Sequence, residues 1–179
     1  MLDDYRQLVQ ELFDNKSNRI IANSSAKHAT VLYAAMFQHA VKDMRILCDN
    51  LSPEVFGDTD VISSAEKFLE KPDSTLKIGI LSRCPQDSTF LDLLKKKMSS
   101  QSGKKQQIYI FRFPEIVINS KVINFAVMDT TGYRFEPDHQ ACCAIACAND
   151  SDFSLTLANL FENKLPESIV NESSTTEQT

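Results

Sequence analysis

Four glycines in 179 residues leave little material for a glycine-rich phosphate loop, and no such motif occurs. Positive charge is also scarce: 19 Lys and Arg stand against 24 Asp and Glu, for a net charge of -5. Non-specific nucleic-acid affinity comes mainly from neutralising phosphates with Lys and Arg, so this balance argues against a nucleic-acid partner. The runs Lys95-Lys96-Lys97 and Lys104-Lys105 flank a Ser/Gln/Gly stretch, which a solvated helix end and loop explain. No apolar run approaches the roughly 18 residues needed to span a bilayer. The opening Met1-Leu2-Asp3-Asp4 has neither the basic region nor the apolar core of a secretory signal. The expectation is a soluble, cytoplasmic protein with no membrane association. Five cysteines, an odd number among apolar neighbours, suit a reducing compartment better than a disulfide framework.

What is present is 42% hydrophobic residues, enough for one well-buried domain and too short a chain for two. Three stretches are expected: an amphipathic helix and linker over 1–23, an α/β domain over 24–165, and a tail over 166–179. In the tail only Ile169 and Val170 are apolar, too little to repay ordering, so it is expected to be disordered. Leu2, Tyr5, Leu8, Val9, Leu12 and Phe13 recur at helical spacing and give the first helix one apolar face. Whether that face packs on its own domain or on another chain stays open. From Ser24 and Ser25 a second helix runs to Val41 without Pro or Gly, apolar on nearly all sides, and is expected at the centre.

Met44 to Cys48 and Leu76 to Leu81 read as strands. Between them Val61, Ile62, Ala65, Phe68 and Leu69 form a helix started by Asp58 or Asp60, which makes a β-α-β crossover and favours parallel strands. Asp87 caps a further helix through Phe90, Leu91, Leu94 and Met98, leading to a strand at 107–112. Residues 115–118 are a short strand or connection; 122–129, 133–136 and 141–148 follow as strands, and a last helix carries Phe153, Leu157, Leu160 and Phe161 inward. The fold class is α/β, a mixed, largely parallel sheet flanked by helices.

The stretch Val122-Ile-Asn-Phe-Ala-Val-Met-Asp129, followed by Thr-Thr-Gly132-Tyr-Arg-Phe-Glu136, reads as a buried strand, an acidic end, a turn and a returning strand. This layout resembles the motif strand of the phospholipase D superfamily, His-x-Lys-x-x-x-x-Asp. With Asp129 as the acidic member, the nucleophile position falls on Val122 and the lysine position on Asn124. Neither offers a nucleophilic nitrogen or a positive charge, so the resemblance implies a single half-unit of that fold, over about 24–163, without its chemistry. Because single-motif members pair, it also implies a homodimer, and a protein partner is expected. Small degenerate domains of this appearance resemble accessory components of bacterial multi-protein systems such as defence against phage.

Two other uses of the scaffold stand beside that one. A phosphodiesterase or nuclease with a rearranged site would be built from His39 or His139. A nucleotide- or nucleic-acid-sensing module would keep the phosphate pocket without hydrolysis. Since α/β sheets place ligands beyond the carboxyl ends of their strands, Asp49, Asn50, Ser82, Arg83, Arg112 and Asp129 are candidates for one rim. Arg134 is suited to an anion or to a forked pair with a carboxylate. The candidate ligand-binding set is therefore Asp49, Arg83, Arg112, Asp129 and Arg134. No catalytic residue, cofactor or metal site is expected. Cys142 and Cys143 would face opposite sides of a strand and Cys147 would lie about 13 Å from Cys143, so core packing is their expected role.

Overall fold

A computed structural model describes residues 2–82, 88–100, 107–138 and 143–165. Arg83, Asp87, His139, Cys142 and the 166–179 tail lie outside the described residues.

In chain order the elements are α1 (Leu2–Asp14), β1 (Ile21–Asn23), α2 (Ala26–His39), β2 (Asp43–Cys48), α3 (Pro53–Phe56), α4 (Thr59–Leu69), β3 (Thr75–Ile80), α5 (Thr89–Ser100), β4 (Ile108–Arg112), β5 (Val117–Ile118), β6 (Lys121–Val122), β7 (Asn124–Met128), β8 (Gly132–Asp138), β9 (Cys143–Cys147) and α6 (Ser151–Glu162). Seven strands form one mixed sheet in the order β1-β9-β8-β7-β2-β3-β4. The two crossovers make β2, β3 and β4 parallel, while the hairpin strands β7, β8 and β9 and the edge strand β1 are antiparallel to their neighbours.

Strand alternation sorts the core into two layers. Met44, Ile46, Ala126 and Met128 face α2, which buries Leu32, Met36 and Phe37 completely and is the central helix its all-round apolar surface predicts. Ser25 caps α2, accepting the His28 N–H at 3.2 Å. Leu47, Phe125, Val127 and Tyr133 face the opposite way, onto Leu157 and Phe161 of α6. The N-terminal helix packs in cis: Val9 and Phe13 are buried in the α2 layer, Tyr5 is in tilted contact with His28, ring centroids 4.1 Å apart, and Arg6 meets Asp60 at 2.6 Å.

Three details differ from the sequence expectation. Residues 21–23, read as linker, form β1, whose Ile21 and Asn23 point inward. The strand expected over 122–129 is two. Asn119 and Ser120, with φ of 50° and 62°, make a two-residue left-handed turn that pairs Val122 with Val117, so Val122 sits in a separate hairpin and β7 starts at Asn124. Cys143 is exposed rather than part of the core, while Cys147 is buried as expected.

One ion cluster fastens α6 to the sheet. Arg45 Nε donates to Glu162 at 2.7 Å and Lys77 Nζ donates to both of its oxygens at 2.9 Å. Burial alone would push the Glu162 carboxyl up, but the hydrogen bonds and charges of Lys77 and Arg45 outweigh it and hold the group below its usual 4.5. A carboxyl depressed in the folded state stabilises above the unfolded value and loses that contribution as pH falls through the folded one. Glu162→Gln is thus expected to destabilise by about 1–2 kcal/mol at neutral pH, the scale of partly exposed charge-assisted bonds. The gap from the native protein should close below pH 4.5, which paired urea titrations at pH 7 and pH 3.5 would check.

Candidate functional site

The carboxyl ends of β2 and β8, with the start of β7 between them, open into a cleft of about 190 Å³. Antiparallel pairing sets its floor. Asn124 lies opposite Glu136 and Ala126 opposite Arg134, so the period of two puts Asn124, Arg134 and Glu136 on the α2 face while Tyr133 and Phe135 point away. Asn124 Nδ2 donates to Glu136 Oε2 at 3.0 Å, and Arg134 Nη2 approaches Glu136 Oε1 at 3.4 Å and Asn23 Oδ1 at 3.5 Å. The Arg134 guanidinium also lies 5.5 Å from the Tyr33 ring centroid. Desolvation, opposed by the Arg134 charge, raises the buried Tyr33 hydroxyl beyond the ordinary phenol range and keeps it neutral. Ser25, the cap of α2, and Ala26 and Ala29 within it close one side; Asp49, Asn50 and Ser52, from the segment between β2 and α3, and Glu54 of α3 form the rim.

Of the candidates from sequence, the fold brings Asp49, Asn50 and Arg134 together at this cleft. Arg112, exposed at the end of β4, is not among the residues lining it. Arg83 lies outside the described residues. Asp129 is at the opposite end of the sheet, because β7 runs antiparallel to β2 and ends beside Asp43. There its carboxylate accepts three backbone N–H groups, from Val41 at 2.9 Å, Lys42 at 2.8 Å and Asp43 at 2.9 Å. It ties the α2–β2 turn to the β7–β8 turn and shares no rim with Asp49. His39 is likewise remote from the cleft, 3.4 Å from Asp14 of α1. Desolvation lowers its pKa despite Asp14.

Sequence reasoning missed Asn23, Tyr33, Glu54 and Glu136 as site residues. Glu136 carried a signal, being two residues from Arg134 in a strand and therefore on its face. Asn124 carried one too, as the lone amide in the otherwise apolar Asn124–Met128. Asn23 carried none, since only the long-range β1–β9 pairing brings it to Arg134. Among the described residues no group of three or more His, Cys, Asp or Glu could hold a metal ion, and no helix is long and apolar enough to cross a membrane.

The helix-flanked mixed sheet, with its β7–β8 hairpin beside a parallel β-α-β half, is a phospholipase D-like fold. Solved structures similar to it include three described by name. The phospholipase D family member Nuc from Salmonella typhimurium superposes with a TM-score of 0.53 at 12% identity, covering 82% of this chain and 93% of its own. NucT from Helicobacter pylori gives 0.50 at 8% identity, covering 82% and 96%. TrmBL2, an archaeal chromatin protein with a novel mode of DNA binding, gives 0.56 at 13% identity over 90% of this chain. This chain spans 57% of the length of TrmBL2. At these identities the likeness is one of fold. No family model and no curated protein matches the chain by sequence.

Proposed function

We propose that this chain is a non-catalytic phospholipase D-like module that works by binding. The observation carrying this reading is the state of the motif positions. Val122 is a hydrocarbon in a separate hairpin, and Asn124, at the lysine position, spends its amide on Glu136 at 3.0 Å. A phospho-enzyme needs a nucleophile and a cation to hold phosphate oxygens, and neither residue supplies one. Purified protein is expected to show no metal-independent hydrolysis of a generic phosphodiester, short DNA or short RNA. Turnover abolished by His39→Ala would overturn the reading in favour of a rearranged site.

The module is proposed to act as a homodimer with a further protein partner, since the chain is the size of one half-unit of the fold. Its apolar N-terminal stripe lends no support, being packed on α2. Light scattering at micromolar concentration should give a mass near twice 20.2 kDa, and a monomer at high concentration would remove the pairing. The setting we propose is an accessory subunit of a bacterial multi-protein system such as phage defence, and a partner gene alongside is the observation that would support it. The DNA binding named for the archaeal neighbour is not carried over, because this chain is net acidic and its cleft holds more carboxylates than cations.

A further inference from the structure

We infer that the cleft over Arg134 binds a small organic amine with a neighbouring uncharged oxygen, a hydroxyl or carbonyl, rather than a phosphate. The first observation is an accumulation of unmet hydrogen bonds. Among the described residues, six buried side-chain polar atoms have no partner, and three of them belong to residues around the floor: Arg134 Nε, Asn124 Oδ1 and Asn23 Nδ2. These residues are 5%, 8% and 2% exposed. Tyr5 Oη and His28 Nδ1 extend the group. Their rings are in tilted contact, 4.1 Å between centroids, and Tyr5 lies within the field of Arg134. Native interiors satisfy nearly all such atoms, so the unmet pair on Arg134 and Asn124, the two of these residues that line the cleft, marks it as a place for a polar guest. On these two residues, which share one face of the β7–β8 pair, the unmet groups are a donor and an acceptor.

The second observation is the sign of the charge. Three carboxylates, Glu136, Asp49 and Glu54, line the cleft against one guanidinium, and that guanidinium already faces Glu136. The N-terminus of α2 adds only about half a positive charge. A phosphate would enter a net negative field and find its one cation already paired. An ammonium group is drawn to Asp49 and Glu54 at the rim, and Phe56 supplies an aromatic wall that favours a cation. An oxygen beside that ammonium can accept from Arg134 Nε while its own proton, or a second amine proton, meets Asn124 Oδ1. Both groups fit in about 190 Å³, the space of an amino alcohol or amino sugar.

This inference rests on the non-catalytic reading only in that the guest leaves unchanged, and a phosphodiester hydrolysis assay tests that point separately. The binding test titrates the full chain with ethanolamine and glucosamine, and in parallel with glycerol and inorganic phosphate, following backbone amide resonances and the thermal midpoint. An amine probe is expected to shift Asn124, Arg134 and Glu136 saturably. It should raise the midpoint by about 4 °C at ten times its dissociation constant. Asp49→Asn, a substitution at the solvated rim, should weaken amine binding about fivefold, the scale of one exposed ion pair. Phosphate binding as tightly as the amines, glycerol matching them, or no saturable response to either amine would each overturn the proposal.

Discussion

Replacing Asp129 with alanine is expected to lower stability by about 3 kcal/mol, or about 10 °C in thermal midpoint for a domain of this size. One carboxylate closes three N–H bonds from consecutive residues, Val41, Lys42 and Asp43, and the Asp129 N–H donates to the Asp43 carbonyl at 2.7 Å. The site is partly solvated, so water recovers some of each lost bond, and the total stays near the lower end for three charge-assisted interactions. A second cost is conformational. Asp129 has φ of 52°, in the left-handed region that aspartate and asparagine tolerate and alanine resists. Asp129→Asn keeps one acceptor oxygen and that tolerance and should lose only about 1 kcal/mol. Urea denaturation of the two variants checks the order. If alanine and asparagine cost the same, the carboxylate is not what holds the turn.

Arg134→Met is expected to cost about 3–5 kcal/mol, because it leaves the Glu136 carboxylate, 8% exposed, without its counter-charge. The double variant Arg134→Met/Glu136→Met should be more stable than Arg134→Met alone, since removing both charges removes the stranded one. Additive losses in that cycle would mean that the two groups, 3.4 Å apart, do not sense each other. Arg134→Lys is not a conservative control. An ammonium cannot reproduce the contact of the delocalised guanidinium with the Tyr33 ring, 5.5 Å from its centroid. The stability cycle and the amine titration probe the same residue through different readouts, so a well-folded double variant that no longer shifts with ethanolamine would separate the binding role from the structural one.

The positions of the two aspartates explain why the candidate set divides. Along the chain both Asp49 and Asp129 end an apolar strand, and local sequence cannot tell them apart. Strand direction does: β2 and β7 are antiparallel neighbours, so their carboxyl ends point to opposite edges of the sheet. One aspartate becomes rim and the other a backbone cap. Arg112 shows a different limit. It does end a parallel strand, but β4 is the outer strand of the sheet, two places from β2, and the cleft is built around β2, β7 and β8.

Periodicity and capping chemistry alone determined the central helix from its unbroken apolar surface, the β-α-β half from strand runs spaced by helical patterns, and α4 and α6 from Asp58 and from the capping residues around Asp150. They also identified Val122, Asn124 and Asp129 as the residues at the positions that the resemblance singles out, because residue identity needs no fold. Tertiary structure decided what those positions became. Three-residue β1 is too short for a periodic signal and exists because β9 pairs with it, which carries Asn23 to Arg134. The left-handed turn at Asn119 and Ser120 detaches Val122 from β7, and antiparallel register sets Asn124 against Glu136. Each of these depends on contacts between residues far apart in sequence, whose pairing free energy is defined only once the sheet has formed.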